Sequence, residues 1–281
     1  MNFHTAPHTY TGEVHLNVLD LNRAVQFYKE VIGFKVLVEA ADKVILTADG
    51  KTPLLIIEQP KNVTPKEANK SGLYHFALLL PKRADLGAII KHFIQQNVRI
   101  GASDHLVSEA LYLSDPDGNG IEIYIDRDPD VWSWDHGKVA MSTDPLDGES
   151  IIAESKDQMW DGLPVGTVMG HVHLHVANLP ETEIFYNALG FEVVTNYPQA
   201  LFMSNGKYHH HIGLNTWNGD GVSRPTAGSV GLQSYTLIYP NEAILKEAIT
   251  KVEALDAKVG LNGSGFMTED PSGNRINLRV G

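Results

Sequence analysis

The chain contains no cysteine among its 281 residues. This absence excludes disulfides, thiolate metal ligands and a cysteine nucleophile, and it suits a reducing compartment. No run of about 18 apolar residues occurs, which argues against a membrane-spanning helix. The N-terminus also lacks the apolar stretch of a signal peptide. Phosphate-binding glycine loops, dinucleotide fingerprints and serine elbows are missing as well. We therefore expect a soluble, cytoplasmic protein.

Basic residues are fewer than acidic ones. The chain has 22 basic against 34 acidic residues, a formal net charge of −12. An acidic protein repels phosphate backbones, so the charge argues against nucleic acid as a partner. Histidine is abundant instead, with 13 residues, six of which fall into the groups His171/His173/His175 and His209/His210/His211. Residues two apart share one face of a strand, so the first group would line one side of a sheet.

An internal repeat organises the chain. The segment GEVHLNVLDL begins at Gly12, and GHVHLHVANL begins at Gly170. The Phe-Tyr pair that follows each segment recurs at the same spacing, and DPDGN at Asp115 is answered by DPSGN at Asp270. Landmarks repeated in one order indicate a duplication.

Each half divides again into two similar modules. Alternating apolar residues predict a strand at Val14–Val18, and helical spacing follows from Arg23 to Val31, ended by Gly33. Further strands complete the order βαβββ, which the second module repeats, with a helix near Ala84–Gln96 and a strand near Val98–Ile100. The sequence thus predicts an α+β protein of four βαβββ modules.

These modules suggest two tandem domains. We expect an N-terminal domain at 9–127 and a C-terminal domain at 169–281, each with two modules. The polar stretch 128–168 between them reads as a linker. It carries three tryptophans, which favour packing against the body of the protein.

The motifs resemble the vicinal oxygen chelate superfamily, which includes glyoxalase I, antibiotic-resistance proteins and extradiol dioxygenases. The resemblance is carried by the helix motif at Asp20–Tyr28, by the following Gly-Phe pair and by DPDGNGIE at Asp115–Glu122. The segments Ser103–Glu122 and Tyr208–Trp217 resemble more narrowly the bacterial catechol-2,3-dioxygenases. The resemblance implies two tandem glyoxalase-like domains, in which the two modules of each half form a curved sheet around a cavity.

The resemblance also implies a metal site on the concave face of such a sheet. The corresponding positions of the N-terminal half carry Glu13, Glu58, His75 and Glu122. We expect Glu13, His75 and Glu122 to be the ligands, with Glu58 or His15 open as alternatives. Histidine and carboxylates with free coordination positions suit Fe(II), whereas Mn, Zn and Ni stay open.

Two further residues fit a ring-cleaving reaction. His105 and Tyr112 precede Glu122, and the resemblance implies that such a pair handles the protons of the substrate. A catechol must lose protons when it chelates a metal, and a histidine can accept one.

The C-terminal half differs at the corresponding positions, which carry His171, Leu214, Ser234 and Asn277. Because only His171 is a strong ligand, the metal site of the family is expected to be lost there. A second cluster of His171, His173 and His210 could still bind a metal, line a polar cavity or respond to protonation.

These observations predict a metal-dependent extradiol dioxygenase that acts on a catechol-type aromatic molecule and dioxygen. A glyoxalase-like lyase or isomerase with the four ligands Glu13, Glu58, His75 and Glu122 is one alternative. A non-catalytic protein that binds a small aromatic compound is another. Assembly into homo-oligomers stays open, and nothing in the sequence predicts a membrane partner.

Overall fold

The computed structural model describes residues 2–281 and contains four modules of the predicted order. The first module comprises β1 (Tyr10–Asn17), α1 (Leu21–Phe27), β2 (Lys35–Glu39), β3 (Lys43–Thr47) and β4 (Leu55–Glu58). The second comprises β5 (Gly72–Leu79), α2 (Arg83–Gln95), β6 (Gly101–Asp104), β7 (Ser108–Ser114) and β8 (Gly120–Asp126).

Short elements connect the halves: β9 (Trp134–Asp135), β10 (Lys138–Val139) and α3 (Gly148–Ser155). The third module comprises β11 (Val168–His175), α4 (Leu179–Ala188), β12 (Glu192–Tyr197), β13 (Ala200–Ser204) and β14 (Ile212–Asn215). The fourth comprises β15 (Gly231–Tyr239), α5 (Glu242–Glu253), β16 (Gly260–Asn262), β17 (Gly265–Glu269) and β18 (Arg275–Val280). The predicted fold class is confirmed, while the domain limits 9–127 and 169–281 stay predictions.

Each sheet of the structure combines one module from each half of the chain, whereas the two modules of one half were expected to share a sheet. One eight-stranded sheet has the order β16-β17-β18-β15-β1-β4-β3-β2, and the other has the order β12-β13-β14-β11-β5-β8-β7-β6. The first and fourth modules therefore share a sheet, here called the 1–4 sheet, and the second and third share the 2–3 sheet. The expectation that the two modules of each half share a sheet is wrong. Duplicated modules expose equivalent first strands, so the sequence pattern alone does not distinguish the two pairings.

The ends of the helices agree with local sequence rules. The Asp20 carboxylate accepts a hydrogen bond from the backbone N–H of Arg23 and caps α1. A single π-helical turn at Tyr28–Ile32 extends this helix to Gly33, which has a left-handed φ of 94°. No helix within residues 2–281 is both long and apolar enough to cross a membrane.

One predicted strand is displaced. The backbone N–H of Val98 donates to the carbonyl of Phe93 and so belongs to the C-terminal end of α2. The strand expected near Val98–Ile100 follows instead as β6. A helix end that wraps by such a bond delays the start of the next strand.

The DPDGN turn fixes the start of β8. Asp115 accepts hydrogen bonds from the backbone N–H groups of Asp117 and Asn119 through one oxygen. Its second oxygen accepts from the Tyr28 hydroxyl at 2.9 Å and from the Asn119 amide at 2.8 Å. The predicted turn is thus a buried anchor that joins the first module to the second.

The connecting segment packs against the body, as its tryptophans suggest. Trp132 is buried in a cluster with Phe3 and Tyr208, and α3 lies against α2. A Cβ atom at Gly87 of α2 would lie 2.3 Å from the carbonyl oxygen of Ile151 in α3. Only glycine permits this distance between the helices.

We expect Gly87→Ala to lower the free energy of unfolding by about 1–3 kcal/mol, because the added methyl group must displace α3. Urea denaturation followed by circular dichroism measures the change. Gly148→Ala is the control, since nothing lies within 4 Å of a Cβ atom there. Equal stability of the two variants would contradict the close packing of α2 and α3.

Candidate metal centre

Three side chains from three strands of the 2–3 sheet meet at one point. His75 lies on β5, Glu122 on β8 and His171 on β11, and one ligand atom of each lies within 4.8 Å of the others. The Nε2 atoms of His75 and His171 are 3.0 Å and 3.1 Å from the same Glu122 oxygen. The structure therefore brings together two of the three expected ligands and adds His171 from the other half of the chain.

Strand register produces this meeting. His171 pairs with Ala77 across β11 and β5, and Ala77 pairs with Glu122 across β5 and β8. His171, Ala77 and Glu122 therefore form one row across the sheet. His75 lies on the same strand as Ala77, two residues before it. Alternate residues of a strand share a face, so His75 joins the row. The small Ala77 side chain leaves room between His171 and Glu122.

The group is buried, and its charge states follow from burial together with the mutual effects of Glu122 and the two imidazoles. Burial lowers the pKa of His171 to about 4, although the nearby Glu122 carboxylate opposes this shift. Burial raises the pKa of Glu122, but the facing imidazoles of His171 and His75 outweigh it and hold that pKa well below the ordinary value. At neutral pH the group offers a carboxylate and a neutral His171 imidazole, the forms that bind metals.

The donors fit a divalent metal ion. His75 Nε2 is buried and has no partner with hydrogen-bond geometry, although the Glu122 oxygen lies nearby. His171 Nε2 donates a hydrogen bond to the same oxygen, while its Nδ1 is buried without a partner. A shift of that proton from Nε2 to Nδ1 frees the second nitrogen, so that both imidazoles and the carboxylate can share a cation. Two histidines and one carboxylate are the set found in non-haem Fe(II) oxygenases.

His105 and Tyr112 form a hydrogen-bonded pair next to this group. His105 Nδ1 lies 2.6 Å from the Ser142 carbonyl oxygen, and its Nε2 lies 2.6 Å from the Tyr112 hydroxyl. A carbonyl only accepts, so Nδ1 carries a proton and, in the neutral ring, Nε2 accepts from Tyr112. Tyr112 pairs with Glu122 in register, and its ring centroid lies 5.7 Å from that of His75.

The three histidines of the second expected cluster, His171, His173 and His210, each contact a different group. His171 belongs to the group with His75 and Glu122. The Asn215 amide donates to His173 Nε2 at 3.0 Å. His210 Nδ1 lies 2.8 Å from His209 Nδ1, and its ring lies against that of His171, with centroids 4.1 Å apart. Among residues 2–281, His75, Glu122 and His171 are the one set of three or more potential ligands that meets.

Glu13, Glu58 and His15 lie on the 1–4 sheet, away from this group. Arg279 donates to Glu13 at 2.7 Å, and Glu58 lies 2.8 Å from Lys43 Nζ and 3.0 Å from His15 Nε2. Ser234 and Asn277, the counterparts of His75 and Glu122, are hydrogen-bonded to each other at 3.2 Å. The structure does not bring Glu13 to His75 and Glu122, because the pairing of modules separates them.

Two aromatic side chains, Tyr74 and Trp217, lie near the candidate ligands. A shift of register between His173 and Leu174 leaves Tyr74 as a bulged residue, and its ring contacts those of His75, His173 and Trp217. A bulge can turn an extra side chain towards a site. Tyr74, His75 and Tyr112 also line a cavity of about 360 Å³. Sequence reasoning missed Tyr74, because a bulge has no clear pattern in the sequence. It also did not single out Trp217, which follows the end of β14.

The fold and the sequence together define the class of protein. Residues 6–123 match the family model described as the Glyoxalase/Bleomycin resistance protein/Dioxygenase superfamily. The chain belongs to this superfamily. Its relative Catechol-2,3-dioxygenase of Bacillus subtilis (strain 168) is 43% identical over 268 residues, which cover 94% of each chain. The resemblance stated from the motifs is thereby confirmed.

Solved structures share the architecture at low sequence identity. Glyoxalase I from Zea mays superposes with a TM-score of 0.56 at 15% identity, over 96% of this chain and 92% of that chain. The cppA protein from Streptococcus pneumoniae gives a TM-score of 0.57 at 12% identity, over 96% of this chain and all of the other. These likenesses show the fold alone, since function resides in the site.

Proposed function

We propose that this protein is an extradiol dioxygenase that opens the ring of a catechol-type aromatic and incorporates both atoms of dioxygen into the product. The observation that carries the proposal is the meeting of His75, Glu122 and His171. Fe(II) is the proposed metal, because two histidines and one carboxylate with free coordination positions are typical of oxygenases that use it. The name of the Bacillus subtilis relative supports the same reaction.

When bound, the metal would supply one site at which substrate and dioxygen are held in contact. The protein provides three donors from adjacent strands, whose spacing is maintained by the backbone hydrogen bonds of the 2–3 sheet. Glu122 would compensate part of the cation's charge. The buried His171 is already neutral, so binding through Nε2 would change its tautomer and not its charge.

His105 and Tyr112 are proposed to move a proton as one unit. The Tyr112 hydroxyl donates to His105, so its remaining lone pairs can accept a proton from a catechol hydroxyl group while its own proton passes to His105 Nε2. The Ser142 carbonyl holds the opposite ring nitrogen at 2.6 Å and stabilises the protonated imidazole that results. This exchange restores Tyr112 and leaves the proton on His105.

Aromatic side chains support a planar substrate. The exposed rings of Tyr74 and Trp217 lie 5.2 Å apart at the side of His173. Phe202 contacts both His173 and His210 within the 2–3 sheet. The exposed parts of Tyr74 and Trp217 offer ring surface to which an aromatic ligand can bind through edge and face contacts.

The glyoxalase-like alternative required Glu13, Glu58, His75 and Glu122 around one metal. Glu13 and Glu58 lie on the 1–4 sheet, and both are engaged with basic side chains. The four-ligand set is therefore not assembled, and nothing in the site favours that reaction over ring cleavage.

Oxygen uptake tests the proposed function. The purified protein is loaded with Fe(II) under anaerobic conditions, given a panel of catechols, and then exposed to air in an oxygen electrode. We expect consumption of one dioxygen per catechol and a yellow ring-opened product. Protein loaded with Zn(II), which has no redox chemistry, is the control and should consume none. Loaded protein that leaves every catechol intact would overturn the proposal.

A further inference from the structure

A chain of two hydrogen bonds and one ring contact runs from Asp126, near the surface, to His171 of the candidate metal centre. Asp126, at the end of β8, lies 2.7 Å from His209 Nε2, and its side chain is 18% exposed. His209 Nδ1 lies 2.8 Å from His210 Nδ1. The His210 ring then lies against that of His171. The chain therefore ends beside a candidate metal ligand.

The direction of the hydrogen bonds follows from the acceptor at the outer end. A carboxylate only accepts, so His209 Nε2 must carry the proton of its bond to Asp126. A neutral imidazole has one N–H, which leaves His209 Nδ1 as an acceptor. The proton between the two Nδ1 atoms then belongs to His210, and His210 Nε2 is left with a free lone pair.

The surroundings leave that lone pair unused. His210 Nε2 is buried and has no hydrogen-bond partner. Its ring is flanked by His171, by Phe202 and by His209, all within 5 Å between centroids. An unpaired buried acceptor is unfavourable unless it serves a ligand or a reaction. The ring that carries this nitrogen lies against that of His171, a candidate metal ligand, with centroids 4.1 Å apart.

The network at Asp126 is itself held in place. The Tyr208 hydroxyl donates to the same Asp126 oxygen at 3.3 Å, and the Tyr124 hydroxyl lies 2.6 Å from that of Tyr208. Phe3 and Trp132 pack on the Tyr208 ring. The rings of Tyr208, Trp132 and Tyr124 also contact that of His209. These contacts restrict the rotation of His209 and keep its Nε2 on Asp126.

We propose that Asp126 and His209 are positioning residues that fix the tautomer of His210, so that His210 Nε2 is the acceptor for a donor group of the bound substrate. The assignment of the tautomer rests on the geometry alone. Its consequence for the reaction rests on the proposed function, in which that donor is a hydroxyl group of a catechol. Exchange of the tautomer would turn the acceptor into an N–H donor, and the hydrogen bond to the hydroxyl proton would be lost.

The tautomer can be measured directly in the full chain without metal. Histidine labelled with nitrogen-15 is incorporated, and long-range proton–nitrogen correlation spectra distinguish protonated from bare ring nitrogens. His210→Gln identifies the His210 signals by their loss. We expect protonated Nδ1 and bare Nε2 on His210. A proton on Nε2, in either the other tautomer or the imidazolium form, would overturn the proposal.

Removal of the carboxylate tests the role of Asp126. In Asp126→Ala we expect His210 to show a mixture of tautomers, because His209 can then carry its proton on either nitrogen. Asp135→Ala is the matched control, since Asp135 is 91% exposed and pairs only with an exposed histidine. An unchanged single tautomer in Asp126→Ala would show that Asp126 does not position His210.

Kinetics separate this inference from the proposed function. If both hold, Asp126→Ala should lower kcat of oxygen uptake by about 10- to 100-fold, comparable to the loss when the hydrogen-bond partner of a metal-ligating histidine is removed. KM should change little. If the wild-type protein shows the expected tautomer but cleaves no catechol, the proposed function fails and the tautomer assignment stands. If the protein cleaves catechol but His210 carries a proton on Nε2, the proposed function stands and the tautomer assignment fails.

Discussion

Glu122→Gln is expected to reduce the affinity for divalent metal by more than about 100-fold, beyond the loss caused by removal of an outer partner of a ligand. The amide keeps the size of the side chain but removes the negative charge that faces both imidazoles. His171→Gln should have a similar effect, because it removes one of the two nitrogen donors. Isothermal titration with Mn(II), and metal content after dialysis against Fe(II), measure these losses.

Glu13→Gln is the matched control for this first prediction. Glu13 occupies on β1 the place that His171 occupies on β11, but it is hydrogen-bonded to Arg279 on the 1–4 sheet. The structure predicts that its substitution leaves metal affinity unchanged. Loss of affinity in Glu13→Gln together with full affinity in His171→Gln would contradict a site that includes His171. Glu13 would then be the third ligand, as the sequence predicted.

His105→Asn and Tyr112→Phe should each lower kcat of oxygen uptake by about 100-fold, since proton transfer by a placed side chain typically contributes at least this much. The two effects should not multiply in the double variant. The residues form one hydrogen-bonded unit, and loss of either one already interrupts the transfer. Steady-state kinetics of the four proteins complete the cycle.

The control for the second prediction is His136→Asn, because the His136 side chain is 95% exposed in the connecting segment. We expect no change in its rate. Multiplicative effects of the His105 and Tyr112 substitutions would show independent roles, and the proton transfer from Tyr112 to His105 would then be incorrect. Circular dichroism of each variant verifies the fold.

Local patterns predicted much of the fold. Alternation and helical spacing indicated the βαβββ order, and glycine indicated the end of α1, because these features depend on neighbouring residues alone. The DPDGN turn at Asp115 was also recognised for this reason. The strand expected near Val98–Ile100 was misplaced, because the backbone bond from Val98 to Phe93 extends the end of α2.

The candidate site was predicted in part. His75 and Glu122 meet as expected, because both lie within the second module. The sequence placed His105 and Tyr112 near the site but did not predict the hydrogen bond between them. Glu13 was expected in the group in place of His171. That choice depended on which modules share a sheet, and the hydrogen-bonding edges of duplicated strands are equivalent, so no local pattern reveals it.

The sequence by itself determined the duplicated modules, the family and the residue types available for a metal. Tertiary structure alone decided that β11 pairs with β5, and this pairing brings His171 to His75 and Glu122. It likewise decided that His210 contacts Asp126 through His209. The physical reason is that backbone hydrogen bonds between strands do not depend on which side chains the strands carry. The register and the neighbouring strand are therefore selected by the packing of the whole chain.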